Sequence, residues 1–179
     1  MSLPTDLARR RWLKRMGAAG LALGAPWAMG AARPRRLRMD NLHTGETLAV
    51  EYFDGSRYEP DALAVVDRFL RDFRSGEIAP IDPRLLDLLH RLAATTDSRQ
   101  PFAVISGYRS PATNAALRHR SSGVASTSLH MRGQAIDIRL ADVPLATLRD
   151  AARSLGLGGV GYYPASDFVH IDTGRVRTW

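Results

Sequence analysis

Residues 128–138 read SLHMRGQAIDI, and the aspartate near the end of that stretch constrains the fold more than any other side chain. Ile136 and Ile138 flank Asp137. Two β-branched neighbours predict a strand. A carboxylate within an otherwise apolar strand is costly unless something compensates its charge. The chain must therefore fold so that a cation reaches residue 137. A metal ion would serve, and so would an arginine.

The chain has no cysteine, so any metal must be held by His, Asp or Glu. Its five histidines are not equivalent. His90 falls in an amphipathic helical run, His119 lies at a basic helix end where positive charge suits the dipole, and His43 sits in a turn. His130 and His170 each stand near a carboxylate in a short apolar strand or its approach: Asp137 for the first, Asp167 and Asp172 for the second. Together His130, Asp137 and His170 make a two-histidine, one-carboxylate set, a donor set of catalytic zinc sites that keep one position open to water. Hydrolysis then needs a further carboxylate to take a proton. Asp167, three residues before His170, is the candidate. Strand residues three apart face opposite ways, so Asp167 must lie in the turn after Pro164, before the strand begins. Asp172 shares a face with His170 and is either a rival ligand or the partner that holds its imidazole. Spacing alone leaves open a salt-bridged structural cluster, with Arg109 neutralising Asp137.

The remaining chain predicts a hairpin over 36–53 with Gly45 in its turn, and helices over 60–74 and 82–95, the second capped by Asp82. A strand follows at 101–106, a helix at 110–119 headed by Ser110 and Pro111, and a helix from Asp142 to Leu155. Short strands follow at 158–163 and 168–174. Helices concentrate early and strands late, without βαβ alternation. The pattern predicts an α+β fold with a small, mostly antiparallel sheet and flanking helices.

The first 32 residues read differently. RRRWLK at 9–14 precedes a short apolar run rich in Gly and Ala over 16–32, the pattern of a secretory signal and too short for a good membrane span. It resembles a twin-arginine export signal, with Arg9 and Arg10 as the pair and Ala8 where Ser or Thr is usual. Small residues at 28, 30, 31 and 32 place cleavage at about 30–32. Residues 33–179 are then a single domain. The leader carries +4 of the net charge of +7, from Arg9, Arg10, Arg11, Lys14 and Arg15 against Asp6, so the body is near neutral. It lacks a basic stripe interleaved with aromatics, which argues against nucleic acid as a partner.

The motifs carry a resemblance. H-x-x-G-x-A-x-D (His130, Gly133, Ala135, Asp137) followed by D-x-x-H (Asp167, His170) resembles the zinc peptidases that include D-alanyl-D-alanine dipeptidases and carboxypeptidases, whose fold recurs in the hedgehog signalling domain. SGYRSPATN at 106–114 is similar to an upstream segment of that group, in which the arginine, here Arg109, stabilises the reacting carbonyl. NLHTGE, SGYRSPATN, SLHMRGQAIDI, GGVGYYP and FVHIDTGRVRTW together resemble the YcbK-like murein endopeptidases across nearly all of residues 37–179. The resemblance implies Zn2+ on His130, Asp137 and His170, with Asp167 as proton acceptor, a position that is Glu in some of the wider group. It implies an exported, periplasmic monomer that cleaves stem-peptide cross-links of peptidoglycan and keeps no membrane insertion once the leader is removed. The alternatives are a D-Ala-D-Ala carboxypeptidase and a non-catalytic, zinc-containing module that binds peptidoglycan. Tyr108, Tyr162 and Tyr163 either line a substrate groove or pack within the fold. A Ser-His-Asp triad from Ser106 or Ser128 lacks a nucleophile elbow.

Overall fold

A computed structural model describes residues 33–120 and 125–179. The leader read over residues 1–32 lies outside them. The hairpin forms from β1 (Arg35–Asn41) and β2 (Thr47–Phe53), with Gly45 in the left-handed region at φ 72°. Leu37, Met39 and Asn41 of β1 are buried while Arg36 and Arg38 are exposed, the alternation of a half-buried strand. Next come α1 (Pro60–Phe69) and α2 (Pro83–Thr96). The Asp82 carboxylate caps α2 by accepting from the Arg84 N–H at 3.0 Å.

Helix α1 ends five residues before the predicted Arg74 because tertiary partners claim the chain there. The Leu70 carbonyl accepts from the Tyr108 N–H at 2.8 Å, and the Asp72 carboxylate accepts from the N–H groups of Arg74 and Ser110 at 3.0 and 2.9 Å. Strand β3 (Phe102–Ser106) leads to α3 (Pro111–Arg120), where the Ser110 hydroxyl accepts from the Thr113 N–H. Strand β4 (Ala135–Arg139), α4 (Leu145–Leu155), β5 (Gly159–Tyr163), β6 (Phe168–Asp172) and a two-residue β7 (Arg177–Thr178) complete the order. Asp142 does not cap α4, which starts after Pro144; its carboxylate accepts from the Ser98 hydroxyl instead.

The sheet runs β2-β1-β3-β4-β6-β5-β7. It is mixed, which corrects the expectation of a mostly antiparallel sheet: β1 lies parallel to β3, and β7 parallel to β5. Strand β2 already returns the chain to the end where β1 starts, and the two helices carry it past β1 so that β3 begins from that same end.

Register then sets which face each residue of β4 and β6 serves. Ile136 opposes Ile171 and Ile138 opposes Val169; all four are fully buried in the core that also holds Leu89, Leu92 and Leu148. The intervening pairs, Ala135 with Asp172 and Asp137 with His170, point to the other face. Burying each isoleucine there contributes about 1.5–3 kcal/mol, so the core face pins the register that brings Asp137 opposite His170.

Candidate metal centre

Cross-strand pairing puts the Nδ1 of His170 2.8 Å from Asp137 Oδ1. The third member comes from a short 3-10 turn, Leu129–Arg132, closed by Gly133 at φ 63°. A Cβ at residue 133 would stand 2.1 Å from the Pro80 carbonyl oxygen, so both conformation and space require glycine. The turn is tied to β3 because the His130 Nδ1–H donates to the Gly107 carbonyl at 2.7 Å. A carbonyl oxygen only accepts, so Nδ1 carries the hydrogen and Nε2 is left facing the site. His130 Nε2 lies 3.2 Å from His170 Nδ1 and 3.3 Å from Asp137 Oδ1.

His130, Asp137 and His170 are all buried, and their three donor atoms lie within 4.8 Å of one another. Ligand atoms at zinc bond lengths of 2.0–2.1 Å on a tetrahedron are about 3.3 Å apart; the two separations from His130 Nε2 match that spacing, and the 2.8 Å between His170 Nδ1 and Asp137 Oδ1 is shorter, a hydrogen-bond distance that opens by about half an ångström on a shared ion. The donors therefore fit a single small divalent cation. His43, His90 and His119 stay outside the group; His43 stacks on Phe73 at 3.9 Å instead.

Asp172 sits on the far side of the His170 ring, where its Oδ2 accepts from the Nε2–H at 3.1 Å. Arg177 reaches the same carboxylate at 2.7 and 3.0 Å, and the N–H groups of Gly159 and Gly174 donate at 3.1 and 2.9 Å. Asp172 thus holds the imidazole rather than joining the three converging donors. Sequence reasoning left this choice open and passed over Arg177, whose only sequence signal is its place five residues after Asp172.

The charges are mutually supporting. Burial pushes the Asp137 carboxyl up, but the His130 and His170 imidazoles overcome this and hold it well below the usual range. Burial likewise pushes His170 down, and Asp137 and Asp172 overcome it to raise the imidazole. Arg109 is lowered by burial, partly offset by Asp137, whose Oδ2 stands 3.9 Å from its Nη2. That gap is too long for a hydrogen bond. The Arg109 Nη1 makes a 3.5 Å contact with Asn114, and its buried Nε has no partner among the described residues.

The group opens onto a cavity of about 510 Å³ whose walls include Arg109, Ser128, Tyr163, Phe168, Arg177 and Trp179. Of the three tyrosines singled out in the sequence, Tyr163 lines the cavity, Tyr162 carries the Arg149 guanidinium on its ring, and Tyr108 is buried. A second cavity of the same volume, lined by Arg36, Arg38, Arg99 and Phe102, contains none of the metal-site residues. Among the described residues, no serine hydroxyl bonds to His130 or His170.

Asp167 stands apart from the other candidates. It follows the 3-10 turn Pro164–Ser166 in the left-handed region at φ 54°, at the predicted place before the strand. Its carboxylate is 62% exposed and pairs with Arg139 rather than lining the cavity. Its neighbours Ser166 and Phe168 do line it, so the Asp167 backbone lies at the rim.

A sheet and an adjoining turn that together present two imidazoles and a carboxylate to an open cavity, with an under-committed arginine beside them, define the class of metal-assisted hydrolases. Comparison with known proteins narrows the class. The family model described as peptidoglycan L,D-endopeptidase MepK matches residues 29–179, and the chain belongs to that family. It is 48% identical over 179 residues to the peptidoglycan L,D-endopeptidase MepK of Escherichia coli strain K12, covering 96% of this chain and 97% of that protein. It is 41% identical over 182 residues to the probable peptidoglycan L,D-endopeptidase MepK of Haemophilus influenzae, covering 97% and 96%. The murein-endopeptidase resemblance carried by the separated motifs agrees with this membership.

Proposed function

We propose that this chain is an exported, zinc-dependent endopeptidase that hydrolyses peptide cross-links of peptidoglycan, at the L,D bond named for its relatives. Residues 1–32 are the leader, with Arg9 and Arg10 addressing the twin-arginine route to the periplasm, and residues 33–179 are the enzyme, acting as a monomer. The observation that carries the reading is the convergence of His130 Nε2, His170 Nδ1 and Asp137 Oδ1 on one wall of an open cavity, in a chain of this family.

Zinc held by these three residues would supply a Lewis acid that activates water and polarises the peptide carbonyl. The protein's own groups do the rest. Gly107 and Asp172 lock the two imidazoles so that Nε2 of His130 and Nδ1 of His170 face inward. Arg109 brings fixed positive charge, with N–H groups free to receive the oxygen on which negative charge develops. Asp167 accepts the proton of the attacking water and returns it to the leaving amine. It does so by leaving Arg139; a rotamer change at an exposed residue takes picoseconds to nanoseconds and is no barrier to turnover.

Purified sacculi incubated with the protein and zinc are expected to release muropeptides cut at an L,D bond, identified by mass spectrometry. Release should stop with a chelator and resume when zinc is restored. Intact sacculi after incubation with the zinc-loaded protein would contradict the reading.

One observation favours a second reading, a binding module that keeps the metal for structure: among the described residues, Asp137 is the sole acidic one lining the cavity. The behaviour of Asp167 variants separates the two.

A further inference from the structure

Trp179 closes the FVHIDTGRVRTW segment and forms part of the cavity wall, although none of the roles assigned above falls to it. Its backbone is fastened to one edge of β5, on either side of Gly161: its N–H donates to the Val160 carbonyl at 3.2 Å, and its carbonyl accepts from the Tyr162 N–H at 3.0 Å. The indole N–H donates to the Tyr163 hydroxyl at 2.7 Å. Tyr163 is itself stacked on Phe168, with ring centroids 4.6 Å apart. One edge of the indole lies over Gly161, where a Cβ would come within 2.7–2.9 Å of three ring atoms. The Arg177 guanidinium lies 4.7 Å from the ring, and the His170 imidazole 5.2 Å away at a tilt of 51°.

A ring gripped from so many directions nonetheless leaves 49% of the residue's surface exposed. An aromatic residue needed only for the fold would bury more of that area, since the stabilisation scales with apolar area removed from water. A rigid, half-open indole next to the metal ligands is instead a preformed contact surface, and fixing it in advance lowers the entropy lost on binding.

Resting on the peptidase reading above, we infer that Trp179 is a substrate-positioning residue: its open face, continuous with Tyr163 and Phe168, receives the aliphatic side chain of a residue flanking the scissile bond. Arg177 joins this wall to the metal site, because it both packs on the indole and holds the Asp172 carboxylate that orients His170. The partner chemistry is a methyl or methylene chain packed on an aromatic plane.

The test uses the full chain. Its other tryptophans are Trp12 and Trp27, so a W12F/W27F background leaves Trp179 as the sole indole. Adding purified cross-linked muropeptides to this protein, with chelator present to prevent turnover, should change its tryptophan emission saturably. With zinc restored, Trp179→Leu should raise KM about tenfold while kcat stays within about twofold, because a contact made alike in ground and transition states is lost. Zinc content should stay near one per chain, and Trp179→Phe should recover most of the KM. Gly161→Ala, which pushes the ring without removing it, should raise KM in the same direction. Unchanged emission, or unchanged KM in Trp179→Leu, overturns the inference. So does a loss of zinc in Trp179→Leu, which would mark the ring as a support for His170. If the parent protein cleaves nothing, the peptidase reading fails, and the emission change still decides whether Trp179 meets the muropeptide.

Discussion

His170 and Asp172 share one face of β6, and the carboxylate of Asp172 accepts from the imidazole Nε2–H at 3.1 Å while Nδ1 turns to Asp137. The period of a strand therefore does the work of orienting a metal ligand. Asp172 is fully buried, and burial pushes its carboxyl up; His170, Arg177 and the Gly174 N–H overcome this and hold it well below the usual range. It reaches His170 as an anion, which fixes the ring and raises its basicity toward a cation.

Asp172→Asn is expected to weaken zinc binding about 10–100-fold, because the imidazole loses an anionic partner while the fold keeps a residue of the same shape. Competition against a chromophoric chelator measures this. Equal affinity in the two proteins would mean that Asp172 serves the fold alone.

Gly133→Ala should act on the same site through the backbone. Residue 133 sits at φ 63° against the Pro80 carbonyl, so a methyl group there must move the turn that carries His130. A stability loss of at least about 2 kcal/mol in urea is expected, together with weaker zinc binding. A variant that keeps both would show that the turn has slack the structure does not reveal.

Asp72 links the end of α1 to the start of α3 and so fixes the segment bearing Arg109. Burial pushes its carboxyl up, but the Thr113 hydroxyl and the N–H groups of Ser110 and Arg74 overcome this and hold its pKa at about 2. A pKa depressed in the folded state contributes stability that is present above the unfolded value, near 3.9, and is lost as pH falls through the folded one. The contribution is on the order of 1–2 kcal/mol. Asp72→Asn should therefore be less stable than the parent at pH 7, with the gap closing between about pH 4 and pH 2. Denaturation midpoints across that window check it; a gap independent of pH would exclude the carboxylate's charge as the cause.

Asp167→Ala should abolish release of muropeptides from sacculi while zinc content stays near one per chain. Cleavage at the parent rate would remove Asp167 from the mechanism, and loss of zinc would make it a ligand. Arg139→Ala frees the carboxylate from its present partner and is expected to leave cleavage intact or faster.

Much of this arrangement was legible in the residues, for physical reasons that differ by element. Apolar alternation over 36–53 and the Asp82-Pro83 start signal specify the hairpin and α2 locally, and both form there. Ile136 and Ile138 announced that Asp137 leaves the core face, and the register with β6 brings it to His170. What escaped depends on neighbours distant in sequence. Alternation says which side a residue faces, not which strand lies beside it, so the parallel β1–β3 pairing was invisible. The end of α1 was set by Tyr108 and Ser110, some forty residues on. Asp167 was placed correctly in its turn, yet its partner Arg139 comes from another strand. Trp179 closes a motif that carries the resemblance, yet nothing local shows that β7 takes it to the wall beside His170.

The most direct measurement is anomalous diffraction at the zinc edge from crystals of the zinc-loaded protein. A single strong peak is expected about 2.0–2.2 Å from His130 Nε2, His170 Nδ1 and a carboxylate oxygen of Asp137, with the fourth direction open to the cavity. A peak coordinated by other side chains, or none in that position from protein that binds zinc in solution, would contradict the site.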